Sequence, residues 1–477
     1  MAARIKDTTP ATIMVIFGVT GDLSRRKLLP SLFDLEANGM LPSKLRIIGF
    51  SRRDWSQNEF LSYVEEVLEN RGGHEKTFIQ KFLKKFIYCH ALFDDSHAYQ
   101  RLGEHIISIE RSVFKKCANK LYYLAVPPLF YERIFRELAL SGLTIPCGGN
   151  EGWARILVEK PFGSDVKTAK KLDLLLGLLF KEEQIFRIDH YLAKEALQNI
   201  LAFRFSNALF EPVWNYAHID NIAISLFEKD TVGTRGAFYD GIGALKDVGQ
   251  NHLLQMLALI AMDAPADGTA RAIRSSRAKI LRVLHGGGSP LSHYAVRGQY
   301  RGYRQEHEVG VESTTETFFR VKAFVRNRRW RGVPFILSSG KALHETKTEI
   351  VVRFKPPHHC LCLAKNSRCM HENALTFRIQ PNEGIDLRFW IKKPGLSNEL
   401  EEKHLSFSYA ASEVSVRLPD AYERLLRDAF AGDQTLFTST EEVHAAWRFI
   451  TPILSLWEKE PLHVYEQGTK GLPLGER

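Results

Sequence analysis

Up to residue 190, short apolar runs alternate with longer stretches of helical periodicity. That alternation admits few folds. Strands buried on both faces and joined by helical crossovers build a mostly parallel sheet with helices on either side. Runs 12–17, 45–50, 120–126 and 154–158 read as strands, and 23–38 and 57–71 as helices stopped by Gly39 and by the Gly72-Gly73 pair. Pro127-Pro128 and Pro161 close the third and fourth strands, since a residue without an N–H does not continue a central strand.

The remainder has a different rhythm. A long apolar helix, 247–262, is followed by a more polar one, 269–284, and then by alternating segments in series at 317–325, 348–354, 375–379 and 386–391. Serial alternating strands suggest an antiparallel sheet. Two further helices, 422–431 and 441–456, come last. The expected organisation is a nucleotide-binding α/β domain over 1–190 and a larger α+β domain over 191–477. No internal repeat or low-complexity tract interrupts either half.

A net charge of +10 draws anions: nucleic acid, acidic membranes or phosphorylated metabolites. The densest basic patch, Arg326-Asn-Arg-Arg-Trp-Arg331, holds one aromatic among four arginines and reads as a solvated surface loop rather than a nucleic-acid site. No apolar run reaches the ~18 residues of a membrane span. Met1-Ala-Ala-Arg-Ile-Lys-Asp7 lacks the apolar stretch of a signal peptide. Six scattered cysteines are too few for a disulfide scaffold, so a reducing, cytoplasmic setting is expected.

Two stretches carry chemistry. The first strand leads into Gly18-Val-Thr-Gly21-Asp-Leu-Ser-Arg-Arg-Lys27 and then a helix. Glycines let the backbone approach a pyrophosphate, and the helix start offers free N–H groups, as in Rossmann-type doubly wound domains. The second strand ends Ser51-Arg52-Arg53, where NAD-selective sites place a carboxylate for the ribose hydroxyls. A forked guanidinium there suits the 2′-phosphate of NADP. The second stretch is Arg187-Ile-Asp-His-Tyr-Leu-Ala-Lys-Glu195, between a short strand, 184–188, and a helical pattern, 192–203. It brings a carboxylate, an imidazole, a phenol and an ammonium to a strand-to-helix turn, and reads either as a phosphate grip beside a catalytic carboxylate or as a polar turn with a solvated face.

Taken together, the Gly18–Lys27 turn, Val158-Glu-Lys-Pro-Phe-Gly163, Arg187–Glu195, Asp247-Val-Gly-Gln-Asn-His-Leu-Leu-Gln-Met256, Val333-Pro-Phe-Ile-Leu-Ser-Ser-Gly-Lys-Ala-Leu343 and Ala421-Tyr-Glu-Arg-Leu425 resemble, in order, the motifs of the glucose-6-phosphate dehydrogenase family. The resemblance implies oxidation of glucose 6-phosphate to 6-phospho-glucono-1,5-lactone with NADP, the first oxidative step of the pentose phosphate pathway. It also implies a Rossmann-like domain joined to a domain with an extended, mostly antiparallel sheet, and assembly as a homodimer or homotetramer. His252 matches the family's general base and Asp189 the carboxylate that orients it. His190, Tyr191 and Lys194 match its phosphate ligands. Lys160 and Lys341 match lysines near the sugar and the reacting carbon, and the Lys160–Pro161 bond matches one that the family keeps cis. Glu228 and Asp247 match acceptors for sugar hydroxyls; Asp247 also fits a helix cap. Gly18, Thr20, Gly21, Asp22, Leu23, Lys27, Arg52, Pro127 and Lys160 are the expected cofactor contacts, and no metal is expected.

Three departures stand out. Ala193 replaces the family's glycine before Lys194. Ser338 and Thr346 stand where animal members carry arginines of a second, structural NADP site, although Arg378 and Lys393 remain. The segment from His358 to His371 holds three cysteines and three histidines without family counterpart or zinc-motif spacing. Two other readings stay open: an NAD-tolerant dehydrogenase of another aldose 6-phosphate, and a catalytically idle nucleotide- or RNA-binding relative.

Overall fold

A computed structural model describes residues 11–71, 75–146, 152–287, 293–357, 371–409 and 417–474. The Cys/His-rich stretch lies outside these apart from His371, as does the start of the chain. The chain divides into two compact units. The first comprises Met1–Ala193, Thr269–Arg271 and Pro419–Thr440, the second Lys194–Gly268, Ala272–Leu418 and Glu441–Arg477. The division thus falls between Ala193 and Lys194 rather than after residue 190, and a late segment expected in the second domain belongs to the first.

The first unit holds β1 (Thr12–Phe17), β2 (Leu45–Ser51), β3 (Phe86–His90), β4 (Asn119–Leu124), β5 (Ala154–Val158) and β6 (Ile185–Ile188). They lie in the order β6-β5-β4-β1-β2-β3, all parallel, with Phe437–Thr438 added antiparallel beside β6. This is the strand order of dinucleotide-binding sheets, whose switch point lies between β1 and β4. The strands are apolar on both faces, and β1 and β4 are buried at every residue, as helices on both sides require. One core joins Ile16, Leu32, Ile47, Phe60 and Phe186 to Leu425, Leu426, Phe430 and Phe437 from the returning segment.

The second unit is built on a ten-stranded sheet. Its strands are β7 (Ile219–Phe227), β8 (Leu284–Gly286), β9 (Ala295–Tyr300), β10 (Phe318–Val325), β11 (Phe335–Gly340), β12 (Lys347–Phe354), β13 (Ala374–Gln380), β14 (Gly384–Lys392) and β15 (Leu400–Ser408), with His463–Tyr465 at one edge. Pairing is antiparallel except for β7 with β11 and His463–Tyr465 with β9. The apolar helix expected over 247–262 runs from Leu245 as a wide π-helical segment, Leu245–Leu253, buried except at the half-buried Lys246 and Asp247, and continues as the fully buried Leu254–Ala261. Among the described residues no helix is long and apolar enough to cross a membrane.

Candidate active site

In the first unit, Gly18 adopts φ +80°, and a Cβ there would stand 2.4 Å from the Ala125 carbonyl oxygen. Only glycine lets the turn after β1 pass the end of β4 so closely. The Gly21 N–H (2.9 Å) and the Ser24 hydroxyl (3.0 Å) both donate to the Gly18 carbonyl, and the Thr20 and Ser51 hydroxyls share a 2.7 Å hydrogen bond. Leu23 packs its side chain on the core, so what it offers a ligand is backbone at the helix start. Pro127 ends the loop after β4 and precedes the short helical turn Pro128–Phe130. Beside the turn lies a cavity of about 780 Å³ whose lining includes Thr20, Gly21, Asp22, Arg25, Arg53 and Tyr63.

The cations lining this cavity are not the expected pair. Lys27, two residues beyond Arg25 in the π-helical turn Ser24–Leu28, reaches Asp420 at 2.9 Å, at the N-cap of the helix Ala421–Ala431. Arg52 is exposed and outside the lining, whereas Arg53 lies 4.9 Å from the Trp55 ring. In the bend that follows β2, the arginine that lines the cavity is the second of the two.

At the carboxyl ends of β5 and β6, Val158 pairs with Arg187, so Glu159-Lys160 and Asp189-His190 emerge from neighbouring strands. The Lys160–Pro161 bond is cis. Tyr123 donates to the Glu159 carboxylate at 2.6 Å, and Tyr131 to its carbonyl at 2.9 Å. Burial raises the Glu159 carboxyl to about 7; the Asp189 charge adds to this, while hydrogen bonds from Tyr123 and Tyr422 and the Lys160 ammonium oppose it. Asp189, 2% exposed, accepts the Tyr191 N–H at 3.0 Å. The His190 ring stacks on Tyr422 at 6.3 Å. Arg187 turns inward instead, to Asp173 (2.8 Å), Glu182 (3.0 Å) and the Thr440 hydroxyl (2.7 Å), and serves the fold. Ala193 is 1% exposed, belongs to the core and is not among the non-glycine residues with positive φ. Its methyl group is therefore packed without backbone strain.

In the second unit, Lys194 is the N-cap residue of the helix Glu195–Phe205 and donates to the Gln380 side chain. β7 and β11 run parallel with Phe227 opposite Gly340, so the next residues, Glu228 and Lys341, emerge side by side and pair at 2.6 Å. The Lys341 ammonium also lies 5.7 Å from the centre of the Tyr239 ring. Burial holds the Tyr239 phenol well above its ordinary range, with the Asp247, Glu316 and Glu228 charges adding. Two expected carboxylates and a lysine thus gather around a tyrosine that spacing could not have indicated.

Asp247 stands in the first turn of its helix, past the N-cap residue Ala244, and not at the cap. His252 is 2% exposed, with its N–H on the Asn251 side chain at 2.7 Å. π-helical segments such as this one recur at functional sites. The far end of the helix is held by three donors: Trp214 on the Ile260 carbonyl (2.9 Å), Trp330 on Ala261 (2.7 Å) and Arg204 on Met262 (2.7 Å). Of the positions that differ from animal members, Ser338 accepts Arg320 at 3.0 Å and Thr346 accepts the Lys229 N–H at 3.0 Å. No grouping of side chains able to hold a metal occurs among the described residues.

Comparison with known proteins agrees along nearly the whole chain. The family model for the glucose-6-phosphate dehydrogenase NAD binding domain matches residues 15–199, and that for the C-terminal domain matches 201–474. Glucose-6-phosphate 1-dehydrogenase from Borreliella burgdorferi is 39% identical over 96% of this chain and 94% of its own length. The Treponema pallidum enzyme is 39% identical over 97% and 92%. A solved glucose-6-phosphate dehydrogenase in complex with its substrate glucose 6-phosphate superposes with a TM-score of 0.89, at 32% identity, covering 99% of this chain and 97% of that one. The Mycobacterium avium structure gives 0.83 at 31%, covering 97% and 96%. A levoglucosan dehydrogenase at 8% identity and a TM-score of 0.51 shares the fold alone. The chain belongs to the glucose-6-phosphate dehydrogenase family.

Proposed function

We propose that this protein oxidises C1 of glucose 6-phosphate to 6-phospho-glucono-1,5-lactone with NADP. The observation that carries the reading is a family match spanning both units, supported by the motif residues lying at strand ends and on one buried helix. His252 takes the proton of the C1 hydroxyl, and Asp189 fixes its ring and stabilises the imidazolium. His190, Tyr191 and Lys194 hold the substrate's phosphate. Glu228 and Asp247 accept hydrogen bonds from sugar hydroxyls, while Lys160 and Lys341 lie by the reacting carbon. When bound, the nicotinamide supplies the acceptor for the C1 hydride.

The turn suits a dinucleotide, because a Cβ at Gly18 would collide with backbone and the helix start offers N–H groups. NADP is favoured by Arg25 and Arg53 at the cavity. Of the carboxylates that line it with them, Asp22 pairs with Arg26 at 2.8 Å and Glu59 accepts the Ser56 N–H at 2.7 Å, with Glu66 the third; Asp54, outside the lining, pairs with His90 at 3.2 Å. The test is a spectrophotometric assay of glucose 6-phosphate with each cofactor. Absence of NADPH formation would sink the activity. For the cofactor, Arg53→Ala should raise KM for NADP⁺ about tenfold or more while leaving NAD⁺ nearly unchanged. An equal effect on both cofactors overturns the NADP assignment. Cytoplasmic location and a homodimer or homotetramer complete the proposal, and a monomer mass by light scattering would contradict the latter.

A further inference from the structure

The helix that carries Asp247 and His252 starts at Leu245 with Ala244 at its N-cap, so no side chain of its own caps it. Its free N–H groups need acceptors, and the first of them finds one on a residue 71 positions away. The Leu245 N–H donates to the Glu316 carboxylate at 3.1 Å, and the Ala244 N–H donates to the Glu316 carbonyl at 3.0 Å. One residue on, the Thr317 carbonyl accepts the Lys341 N–H at 2.9 Å. Gly243 makes the approach possible: at φ +78°, a Cβ there would stand 2.4 Å from each Glu316 carboxylate oxygen. Glu316 is 6% exposed, which is costly for a carboxylate without such partners.

We propose that Glu316 is a positioning residue for the reaction. Its side chain and carbonyl fix the start of the Asp247–His252 helix, and the carbonyl of the next residue, Thr317, holds the Lys341 backbone. The far end of the helix is tied by Trp214, Trp330 and Arg204, so freedom in the helix is left at the Glu316 end, and a shift there tilts both active groups together. The proposal rests on the roles given above to Asp247, His252 and Lys341. Burial raises the Glu316 carboxyl to about 7, against the Leu245 N–H, Lys246 and Arg297. In either protonation state an oxygen is available to Leu245, so the position requires reach rather than charge.

Two substitutions separate these. Glu316→Gln keeps the oxygen at the same reach and removes the charge; Glu316→Asp keeps the charge and withdraws the oxygen by one bond, about 1.5 Å. Steady-state kinetics with glucose 6-phosphate should find Glu316→Gln within about threefold of the parent kcat. Glu316→Asp should fall about tenfold or more in kcat, with a near-UV circular dichroism spectrum and a cooperative thermal transition like the parent's showing that the fold is kept. Both variants near the parent, both impaired, or Gln impaired and Asp intact would each overturn the proposal. His252→Asn, assayed alongside, separates the two claims. If it turns over normally, the assignment of His252 has failed; if it is inactive while both Glu316 variants are intact, only the positioning role has.

Discussion

Replacing His252 with Asn removes the titrating imidazole but keeps a polar side chain at a site that is 2% exposed. Loss of a general base costs roughly 10²–10⁴-fold in rate, so His252→Asn should collapse kcat with little change in KM for glucose 6-phosphate; near-normal turnover removes His252 from the role. Lys194→Ala should act on the other parameter, raising KM for glucose 6-phosphate, and an unchanged KM counts against the phosphate grip. Glu159 makes a different kind of prediction, because burial lifts its carboxyl to about 7. Above the unfolded value and below 7, the folded state holds a proton that the unfolded chain has lost, so stability falls as pH rises from about 4.5 to about 7 and is flat beyond. Glu159→Gln has no such slope. Its melting temperature relative to the parent should therefore rise between pH 5 and pH 8, with a free-energy difference on the order of 3 kcal/mol at full effect. A pH-independent difference would mean that the carboxyl titrates normally. Tyr123 and Tyr422, which set this environment, lie far from Glu159 in sequence, and nothing local marks them.

Elements were legible in the sequence wherever burial on both faces made the run continuous. β1, β2 and β5 are almost wholly apolar, and their limits agree with the expected ones to within a residue. β3 was missed because Phe86 and Ile87, across Lys84-Lys85, continue the helical spacing of Ile79, Phe82 and Leu83 in the helix Lys76–Leu83, so the two merge into one pattern. β7 is masked near its start by the exposed Asp220 and the half-buried Asn221. Phe437–Thr438 spans two residues and pairs with Ile188 and Arg187, a partnership without local signature. The glycine turn was legible from its place after β1, and it yields a paired prediction. Gly18→Ala forces both a strained φ and a collision with the Ala125 carbonyl. It should lower NADP⁺ affinity by about tenfold or more, read by fluorescence titration. Gly39 also has positive φ, +64°, but open space around it; Gly39→Ala should cost about 1 kcal/mol of stability and leave nucleotide affinity unchanged. Equal effects on affinity at both positions would mean that the close approach at Gly18 is irrelevant to the cofactor.

At the scale of the molecule, the decisive feature is that the dinucleotide-binding unit is not a continuous piece of chain. Residues Pro419–Thr440 return to it, bringing Leu425, Leu426, Ala429, Phe430 and Phe437 into its core, while Arg155 donates to the Ala429 and Phe430 carbonyls at 2.8 and 2.9 Å and Lys27 pairs with Asp420. Burying a large apolar side chain contributes about 1.5–3 kcal/mol, so these residues together supply on the order of 10 kcal/mol. A whole domain's net stability is only about 5–15 kcal/mol. A fragment of residues 1–193 should therefore fail to unfold cooperatively and should not bind NADP⁺, despite containing every expected cofactor contact. The same fragment with residues 419–440 joined through a flexible linker should recover a thermal transition and nucleotide binding. A folded, nucleotide-binding 1–193 fragment would show instead that the first unit is autonomous, and that the returning helix and strand merely cover it.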